Sequence, residues 1–449
     1  PDTISYEKGK IWIGLKEPLQ TANLLALKKA LKISEKEMEI NSVKSIKNIF
    51  NSKDEKLSRA YELSFEGNKD LVEYLKKFES DFEYVEYVPK VYVSTPYTPN
   101  DFVDDPDTLW HIDHLGLREA WYLMDGITRQ TKVAIIDNGY DGDHEDLVGN
   151  IAYISPNANN NEHHGTAVAG IAGMTTNNGI GYCSVAGLYT DLYLYLFNDV
   201  PTNIVDATNA NAKVINMSFI NCTISQTYIN AINYAYSNGV LLVAAAGNCQ
   251  CSGSCTNYHY PASYDHVLSV ASLDKIDIRN VYPPYCSTTY NDKVDISAPG
   301  WQITSTEKDN SYYFTGQCTS AASPMVAGTA ALLLAINPYL TPDQLECIIK
   351  TTAYDIYQIS GNAPYIGMLG AGRLDALAAV TFTINASVQN LTGSLGGTYT
   401  KFIVNVSNAT VANNVAIHAK EVTINGPFSI NSGKTFTVDN TGTFSVTCN

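Results

Sequence analysis

The sequence of 449 residues contains no apolar run close to the ~20 residues that a membrane-spanning helix needs. The longest apolar stretch, residues 326–336, is interrupted by glycine and threonine. Positive charge is also scarce, because 29 lysines and arginines stand against 45 acidic residues and give a net charge of −16. This balance argues against a nucleic-acid partner or an anionic membrane surface. We therefore expect a soluble chain with a sizeable core, divided into about three domains.

A signal-like apolar segment is also missing from the start of the sequence, which begins at Pro1. Any export signal is therefore expected to have been removed, or never to have been part of this sequence.

Cysteine is absent from the first ninety residues, but nine cysteines follow. Cys249, Cys251 and Cys255 lie in one loop, and the other six are scattered. Disulfides in an exported protein are the simplest explanation. The alternative is a zinc site formed by these three residues and His259, although C-x-C-x3-C-x3-H differs from the paired C-x2-C spacing usual for zinc. Because the count is odd, at least one cysteine is expected to be free or to pair between chains.

The first ninety or so residues are predicted to form a small α+β domain. Residue patterns predict strands at 10–16, 60–67 and 82–94 and helices at 24–33 and 69–80. This order suits a split βαβ arrangement of the ferredoxin-like type. The stretch that follows is rich in Pro, Thr, Asn and Asp, and it is predicted to be a linker.

From Trp110 to about Val380, short apolar runs alternate with helical segments. Runs such as KVAIIDNG, AKVINMSF and VLLVAAAGN are typical of strands that are buried on both faces of a parallel sheet. We therefore predict a doubly wound α/β domain, with its chemistry at the carboxyl ends of the strands. The last stretch alternates in Val, Thr, Asn and Gly, which predicts a small all-β module with turns at Asn-Gly, Ser-Gly and Thr-Gly.

Four polar residues stand at predicted strand ends or helix starts. Asp137 follows the strand VAII, His164 begins the helix HHGTAVAGIAG, Asn248 ends VLLVAAAGN, and Ser320 precedes the apolar run TAALLLAI. Each alone is more often structural, as a turn residue or a helix cap. Together they match nucleophilic catalysis, because a serine hydroxyl needs an imidazole to take its proton, a carboxylate to hold the imidazole tautomer, and donors for the oxyanion.

The segments VAIIDNG, HGTAVAG, AAAGN and TSAASPMVAG resemble, in this order, the signature blocks of the subtilisin-like serine peptidase (subtilase) family. The resemblance covers about residues 110–380 and agrees in residue type, order and spacing. It implies a subtilisin-like fold with a mostly parallel sheet, and the activity of a serine endopeptidase.

Carried over to this sequence, the resemblance makes Ser320 the nucleophile, His164 the general base and acid, and Asp137 the orienting carboxylate. The side chain of Asn248 and the backbone N–H of Ser320 would form the oxyanion hole. Small residues around Ser320 would let the scissile peptide lie against the helix start, where backbone amides meet the developing negative charge.

The chain departs from the family pattern beside Ser320 and in the segment that contains His164. The family usually has glycine before Thr319-Ser320, whereas this chain has Cys318. In the family fold the loop PYCSTTY approaches this position, so we expect either a disulfide from Cys318 to Cys286 or a free buried thiol. The family also tends to have His-Val where this chain has Ala167-Val168, and activity should survive that change.

The resemblance also implies a substrate-binding surface. The backbone of Ser218-Phe219-Ile220 would pair with the bound peptide as an added strand, and Ala246-Gly247 would form the opposite wall of the primary specificity pocket. His259 would stand at the pocket base. Because Ile220 and His259 are larger than the family norm, the pocket is predicted to be narrow and to favour small or medium side chains.

Calcium in a structural role is the cofactor that the resemblance implies, because TNNGIGY and Asp146 resemble the family's calcium loop. Oxygen ligands suit this ion. They would be the carboxylate of Asp146, the side-chain amide of Asn178 and the backbone carbonyls of Thr176, Ile180 and Tyr182. Asp101 or Asp105 would complete the set. The alternative is an Asn-Gly loop that is capped only by its own hydrogen bonds.

By the same resemblance, residues 1–97 would be an inhibitory propeptide whose last strand runs into the active-site cleft, with cleavage between about Val91 and Asn100. The alternative is a permanent accessory domain. Residues 98–380 would be the catalytic domain, and 381–449 a β module of the kind appended to secreted bacterial proteins. We thus expect a secreted zymogen that acts on proteins or peptides.

Two other functions compete with this interpretation. One is a catalytically silent subtilase relative that acts in binding or adhesion, for which Cys318 is the argument. The other is an esterase of the α/β-hydrolase class, which is excluded because that class needs G-x-S-x-G and the order Ser…Asp…His.

Overall fold

The structure is a computed structural model that describes residues 6–17, 19, 43–48, 59–65, 82–89, 97–105, 107–250, 253–282, 286–313 and 318–440. The chain divides into two compact units, Pro1–Ser94 and Thr95–Asn449.

The N-terminal unit contains a four-stranded antiparallel sheet. Its strands are β1 (Tyr6–Leu15), β2 (Val43–Asn48), β3 (Ala60–Phe65) and β4 (Phe82–Pro89). Their spatial order is β2-β3-β1-β4, as in a ferredoxin-like sheet. Strand β2 was not predicted, because lysine and serine separate its apolar residues in VKSIKN. The helices predicted at 24–33 and 69–80 lie outside the described residues.

Seven parallel strands form the central sheet of the second unit. They are β5 (Thr131–Asp137), β6 (Ile151–Ile154), β7 (Thr190–Leu196), β8 (Val214–Met217), β9 (Leu241–Ala245), β10 (Val267–Leu273) and β13 (Ile296–Pro299). The spatial order is β13-β10-β9-β8-β5-β7-β6. The chain runs from β5 to β6 and β7 on one side and then crosses to β8 on the other. This confirms the predicted doubly wound sheet and places its switch point at the carboxyl end of β5.

Short two-stranded pairs lie outside this sheet. They are β11 (Val281–Tyr282) with β12 (Cys286–Ser287), and β14 (Thr306–Glu307) with β15 (Ser311–Tyr312).

Helices cover the central sheet. They are α1 (Trp110–His114), α2 (Leu117–Leu123), α3 (His163–Gly173), α4 (Val200–Asn209), α5 (Gln226–Ser237), α6 (Thr319–Ile336), α7 (Pro342–Thr351) and α8 (Ala376–Ser387). Helix α6 is the core helix, because all 18 of its residues are buried. Among the described residues, α6 is the one helix whose length and hydropathy would fit a membrane span, which the sequence analysis did not expect, but the fold encloses it completely.

The C-terminal sheet is parallel. Strands β16 (Val388–Thr400), β17 (Ile403–His418) and β18 (Glu421–Ile430) pair side by side, and β19 (Phe436–Asp439) also pairs with β17. The predicted all-β composition is confirmed, but an Asn-Gly hairpin turn at 425–426 is wrong. These two residues lie inside β18, where Gly426 takes φ +76°. Successive strands are therefore stacked turns of a coil.

The C-terminal sheet packs against the end of helix α6. Arg129 donates from Nη1 to the Ala335 carbonyl (2.8 Å) and from Nη2 to both carboxylate oxygens of Glu421 in β18 (3.2 and 3.0 Å). The Tyr339 hydroxyl also donates to Glu421 (3.1 Å). Phe402 belongs to the hydrophobic core that contains α6. The predicted domain boundary after residue 380 falls inside α8, which runs directly into β16.

Candidate active site

Asp137 and His164 are paired at the carboxyl end of β5. Asp137 is the last residue of β5, and His164 lies in the first turn of α3. His164 Nδ1 is 2.7 Å from Asp137 Oδ1, which also accepts a hydrogen bond from the Asn138 backbone N–H (2.8 Å). Gly165 permits this approach, because a Cβ there would lie 2.2 Å from the Gly139 carbonyl oxygen. The glycine after His164 is therefore required by packing.

The environment of His164 changes its basicity in two opposing ways. Burial lowers the pKa of the imidazole, while the charge of Asp137 and the hydrogen bond to it raise that pKa, and the net result is a raised pKa. Because Nδ1 faces Asp137, Nε2 is the nitrogen that can exchange a proton with a substrate group.

Ser320 lies in the first turn of α6 and is 9% exposed. Its hydroxyl donates to the Ser218 carbonyl (3.1 Å), and the Ser218 hydroxyl donates to the Ser320 carbonyl (3.0 Å). This reciprocal pair fixes the start of α6 against the segment that follows β8.

Sheet register brings the two pairs to one place. Ile136 of β5 lies beside Met217 of β8, so the next residues, Asp137 and Ser218, are neighbours at the carboxyl edge. His164 is bonded to the first of them, and Ser320 to the second. The predicted Asp, His and Ser are thus gathered at one edge of the sheet.

Asn248 contacts the start of α6 through Thr319, the residue before Ser320, to which the sequence analysis gave no role. The Thr319 backbone N–H (3.2 Å) and hydroxyl (2.7 Å) both donate to Asn248 Oδ1. The Gly247 backbone N–H in turn donates to Thr319 Oγ1 (3.2 Å). Because the amide oxygen is engaged, the Asn248 NH₂ group is the end that can face a substrate. The threonine before Ser320 was the available signal.

Cys318 takes a backbone conformation that favours glycine, with φ +103°. This explains the glycine that the family usually has at this position. The thiol is disulfide-bonded, so the alternative of a free thiol is wrong. Cys318 Sγ lies 3.4 Å from the hydroxyl of Thr288, two residues after Cys286. The partner lies outside the described side chains, and pairing with Cys286 stays a prediction.

The predicted pocket residues lie around Gly247. His259 is fully buried, and its Nδ1 is 3.1 Å from the Ala246 carbonyl oxygen and 3.3 Å from Thr289 Oγ1. Burial lowers the pKa of this imidazole, although the contact with Ala246 opposes the effect. Gly247 has φ +102°, and a Cβ there would lie 2.7 Å from the His259 ring. The imidazole therefore occupies the space beside Gly247.

The segment Ser218-Phe219-Ile220 follows β8 directly. Its end is fixed by Asn221 and Tyr260, which exchange backbone hydrogen bonds. The ring of Phe219 lies 5.9 Å from that of Phe197, centroid to centroid.

The described cysteines do not support the zinc alternative. Cys249 and Cys255 form a disulfide, so their thiolates cannot hold a metal together with His259. Cys222 and Cys347 are also disulfide-bonded, whereas Cys183 is free and buried. Disulfides are therefore the main use of cysteine in the described part of the chain.

The predicted calcium loop lies around Asp146, which is fully buried. Its Oδ1 accepts from the Asn178 side-chain amide (2.8 Å), and its Oδ2 accepts from the Tyr182 backbone N–H (3.1 Å). Burial raises the pKa of Asp146 to about 7. Asp101 Oδ2 accepts from the Asn178 backbone N–H (3.1 Å), while its buried Oδ1 has no donor among the described residues.

Other predicted ligands are placed differently. The Asn178 side-chain oxygen accepts from the Ile180 backbone N–H (2.9 Å) and so faces away from Asp146. Asp105 accepts hydrogen bonds from Thr108 and Asp107 in a turn of its own. Of the two linker aspartates, Asp101 is the one beside the loop. In the described part of the chain, no group of three or more His, Cys, Asp or Glu side chains could hold a metal ion.

Comparison with known proteins identifies the class to which this fold and site belong. The model of the Subtilase family (Peptidase S8) matches residues 128–393, and the chain belongs to that family. The predicted subtilisin-like fold is confirmed. The protein is a serine-type endopeptidase, with proteins or peptides as its substrates.

Individual relatives agree with this assignment. The chain is 34% identical to the thermophilic serine proteinase of Bacillus sp. (strain AK1), over 66% of this chain and 73% of that protein. It is 31% identical to thermitase of Thermoactinomyces vulgaris, over 64% of this chain and 100% of thermitase. A solved structure of a Pseudoalteromonas arctica PAMC 21717 protease matches with a TM-score of 0.54 and 29% identity, over 65% of this chain and 100% of that one.

Proposed function

We propose that the protein is a secreted zymogen that cleaves peptide bonds with the triad Ser320, His164 and Asp137. The observation that carries this proposal is the pair of contacts at neighbouring strand ends, His164 on Asp137 and Ser320 on Ser218. A serine hydroxyl and an oriented imidazole then stand at the switch point of the sheet, where α/β folds bind ligands.

In the proposed reaction, the Ser320 hydroxyl leaves the Ser218 carbonyl and gives its proton to His164 Nε2 as its oxygen attacks the substrate carbonyl. The Asn248 amide and the Ser320 backbone N–H donate to the oxyanion. His164 then passes the proton to the leaving amine. Water hydrolyses the acyl-enzyme with His164 again as the base. Asp137 accepts the hydrogen bond from His164 Nδ1–H throughout, and its negative charge stabilises the imidazolium.

Two observations favour this enzyme over a catalytically silent relative. Cys318, the residue that argued for the silent protein, keeps the positive φ that favours glycine at this position, and it is disulfide-bonded, so the backbone before Ser320 has a glycine-like conformation despite the side chain. In addition, Thr319 fixes the Asn248 amide in the orientation that a donor to the oxyanion requires.

The buried imidazole of His259 supports a narrow primary specificity pocket. It stands against Gly247 and Ala246, which are the proposed pocket wall. Aromatic side chains before the scissile bond would have to displace it, so small or medium side chains are proposed.

The ferredoxin-like strand order of the N-terminal unit supports its role as a propeptide. The disulfide-bonded cysteines support the proposal that the protein is exported, because disulfides persist in oxidising surroundings.

Digestion of a peptide library, read by mass spectrometry, tests both activity and pocket. We expect the protein, freed of its N-terminal unit, to cut after small or medium residues. A fluorophosphonate should label Ser320 and stop all cleavage. Failure to label Ser320 would refute the triad, whereas a strong preference for aromatic residues would refute the narrow pocket alone.

Calcium is proposed as a structural ion at the loop around Asp146. The buried oxygens of Asp146 and Asp101 fit this hard cation, and one of them lacks a donor among the described residues. The backbone carbonyls of Thr176, Ile180 and Tyr182 would join them. Asn178 fits as a ligand if its amide turns its oxygen toward Asp146. When bound, the ion would tie the loop to the segment that contains Asp101.

We expect chelation to lower the Tm of a Ser320→Ala protein, which cannot digest itself. Calcium at a hundred times its Kd adds about 2.7 kcal/mol to the free energy of unfolding, which corresponds to roughly 3 to 4 °C for a chain of this size. The variant Asp146→Asn should lose this response, while the control Asp105→Asn should keep it. Equal responses in both variants would contradict the site.

A further inference from the structure

A chain of buried polar side chains lies behind Ser320, in the interior between β8 and α6. The Ser323 hydroxyl donates to Asn216 Oδ1 (2.6 Å), and Asn216 Nδ2 donates to Ser218 Oγ (3.0 Å). Ser218 Oγ then donates to the Ser320 carbonyl (3.0 Å). Asn216 and Ser323 are 0% exposed.

The direction of these hydrogen bonds follows from the donors. A hydroxyl has one proton, so Ser323 gives its proton to the amide oxygen of Asn216. The NH₂ group of Asn216 must then face Ser218 and fill the acceptor site on its oxygen. Ser218 in turn has its own proton directed at the Ser320 carbonyl. Each link therefore fixes the orientation of the next.

The position of this chain in the sequence explains what it connects. Asn216 stands within the otherwise apolar strand VINM, and Ser323 stands one helical turn after Ser320. Buried amides and hydroxyls lower the stability of the folded state unless they are hydrogen-bonded. A pair of apolar side chains would fill this interior without that possible loss of stability. The polar chain joins the substrate-binding segment after β8 to the first turn of the nucleophile helix.

We propose that Asn216, held by Ser323, is a positioning residue for the nucleophile. This inference rests on the proposed function of Ser320. Without the Asn216 amide, the Ser218 hydroxyl is free to rotate away from the Ser320 carbonyl. The Ser320 backbone N–H and Oγ then lose their fixed place relative to His164 and Asn248. A misplacement of about 1 Å at reacting groups costs on the order of 100-fold in rate.

Steady-state kinetics of Ser323→Ala and Asn216→Ala test the proposal. We expect kcat to fall about 10- to 100-fold in both variants, with KM changed by less than about threefold, because the substrate contacts remain in place. The rate of fluorophosphonate labelling at Ser320 should fall in parallel with kcat.

The matched control is Thr329→Val. Thr329 is buried on the same helix, and its hydroxyl donates to the Met325 carbonyl of that helix (2.9 Å). This variant should lower Tm about as much as Ser323→Ala and leave kcat unchanged. A similar loss of kcat in Thr329→Val would reduce the effect to general destabilisation and overturn the proposal.

The remaining outcomes are also decisive. If Asn216→Ala does not fold, Ser323→Ala alone carries the test, because it removes one oxygen. Wild-type kcat in a folded Ser323→Ala protein would refute positioning. If the wild-type protein itself does not label, the proposed nucleophile fails first, and the two failures are thereby told apart.

Discussion

Replacement of Ser320 by alanine is expected to lower kcat/KM by about 10⁶-fold, the scale of loss when a triad nucleophile is removed. In the proposed reaction, the oxygen of this hydroxyl is the atom that attacks the substrate, and alanine has no group that can replace it. The folded state should lose little, because the hydroxyl contributes one hydrogen bond, to the Ser218 carbonyl. Peptide hydrolysis and Tm, measured on the same sample, check this separation.

The control for this variant is Ser297→Ala. Ser297 is also a buried serine, and it donates to a backbone carbonyl, that of Leu369 (2.9 Å). It lies in the edge strand β13, far along the sheet from β5. It should match the small change in Tm without the loss of rate. Substantial hydrolysis by a homogeneous Ser320→Ala protein would mean that another residue is the nucleophile.

The second large effect is expected from Asp137→Asn, with a loss of about 10⁴-fold in kcat/KM. An asparagine in this place can donate to His164 Nδ1 and so favour the tautomer that carries its proton on Nε2. That tautomer cannot accept the Ser320 proton. The change conserves size, which matters because Asp137 is 3% exposed and sits against Gly165.

The pH dependence of the same variant gives an independent readout. In the proposed reaction the neutral imidazole is the base, so kcat/KM of the wild-type protein should rise with pH through the raised pKa of His164. The charge of Asp137 raises the pKa of His164, and asparagine removes that charge. Burial, which lowers this pKa, remains in the variant. The acid limb of the residual activity should therefore move to lower pH. An acid limb at the wild-type position would show that Asp137 does not act on His164.

The sequence was sufficient to predict the central parallel sheet, and the position of Asp137 at the end of one of its strands, for a physical reason. Parallel strands that are buried on both faces appear as continuous apolar runs, and their carboxyl ends meet at one edge. Asp137 and Ser218 therefore become neighbours through register alone.

The interior contacts were less accessible to prediction. Asn216 stands in a strand pattern that does not reveal its partner 107 positions away. No local pattern revealed a role for Thr319, although its hydroxyl donates to Asn248 and orients that amide.

The C-terminal sheet shows another limit of local patterns. Alternating residues with Asn-Gly are the usual signal of a hairpin, and they predicted reversing turns. Parallel stacking uses the same alternation, because both arrangements bury every second side chain. Val388 pairs with Ile403 in the parallel strands β16 and β17. This pairing between successive strands is visible only when two strands are compared, and the residues of one turn do not predict it.

Arg129 and Glu421, together with Phe402 and Ile403, join the C-terminal sheet to the peptidase core, so the chain cannot be truncated cleanly between them. A cut after residue 380 would split α8 and strip Phe402 and Ile403 from the interior that they share with α6. The fragment would keep the proposed catalytic residues but expose an apolar surface near the C-terminal end of α6, the helix that begins at Thr319-Ser320. Replacement of the C-terminal sheet by a foreign domain is therefore expected to change the stability of the peptidase unit itself.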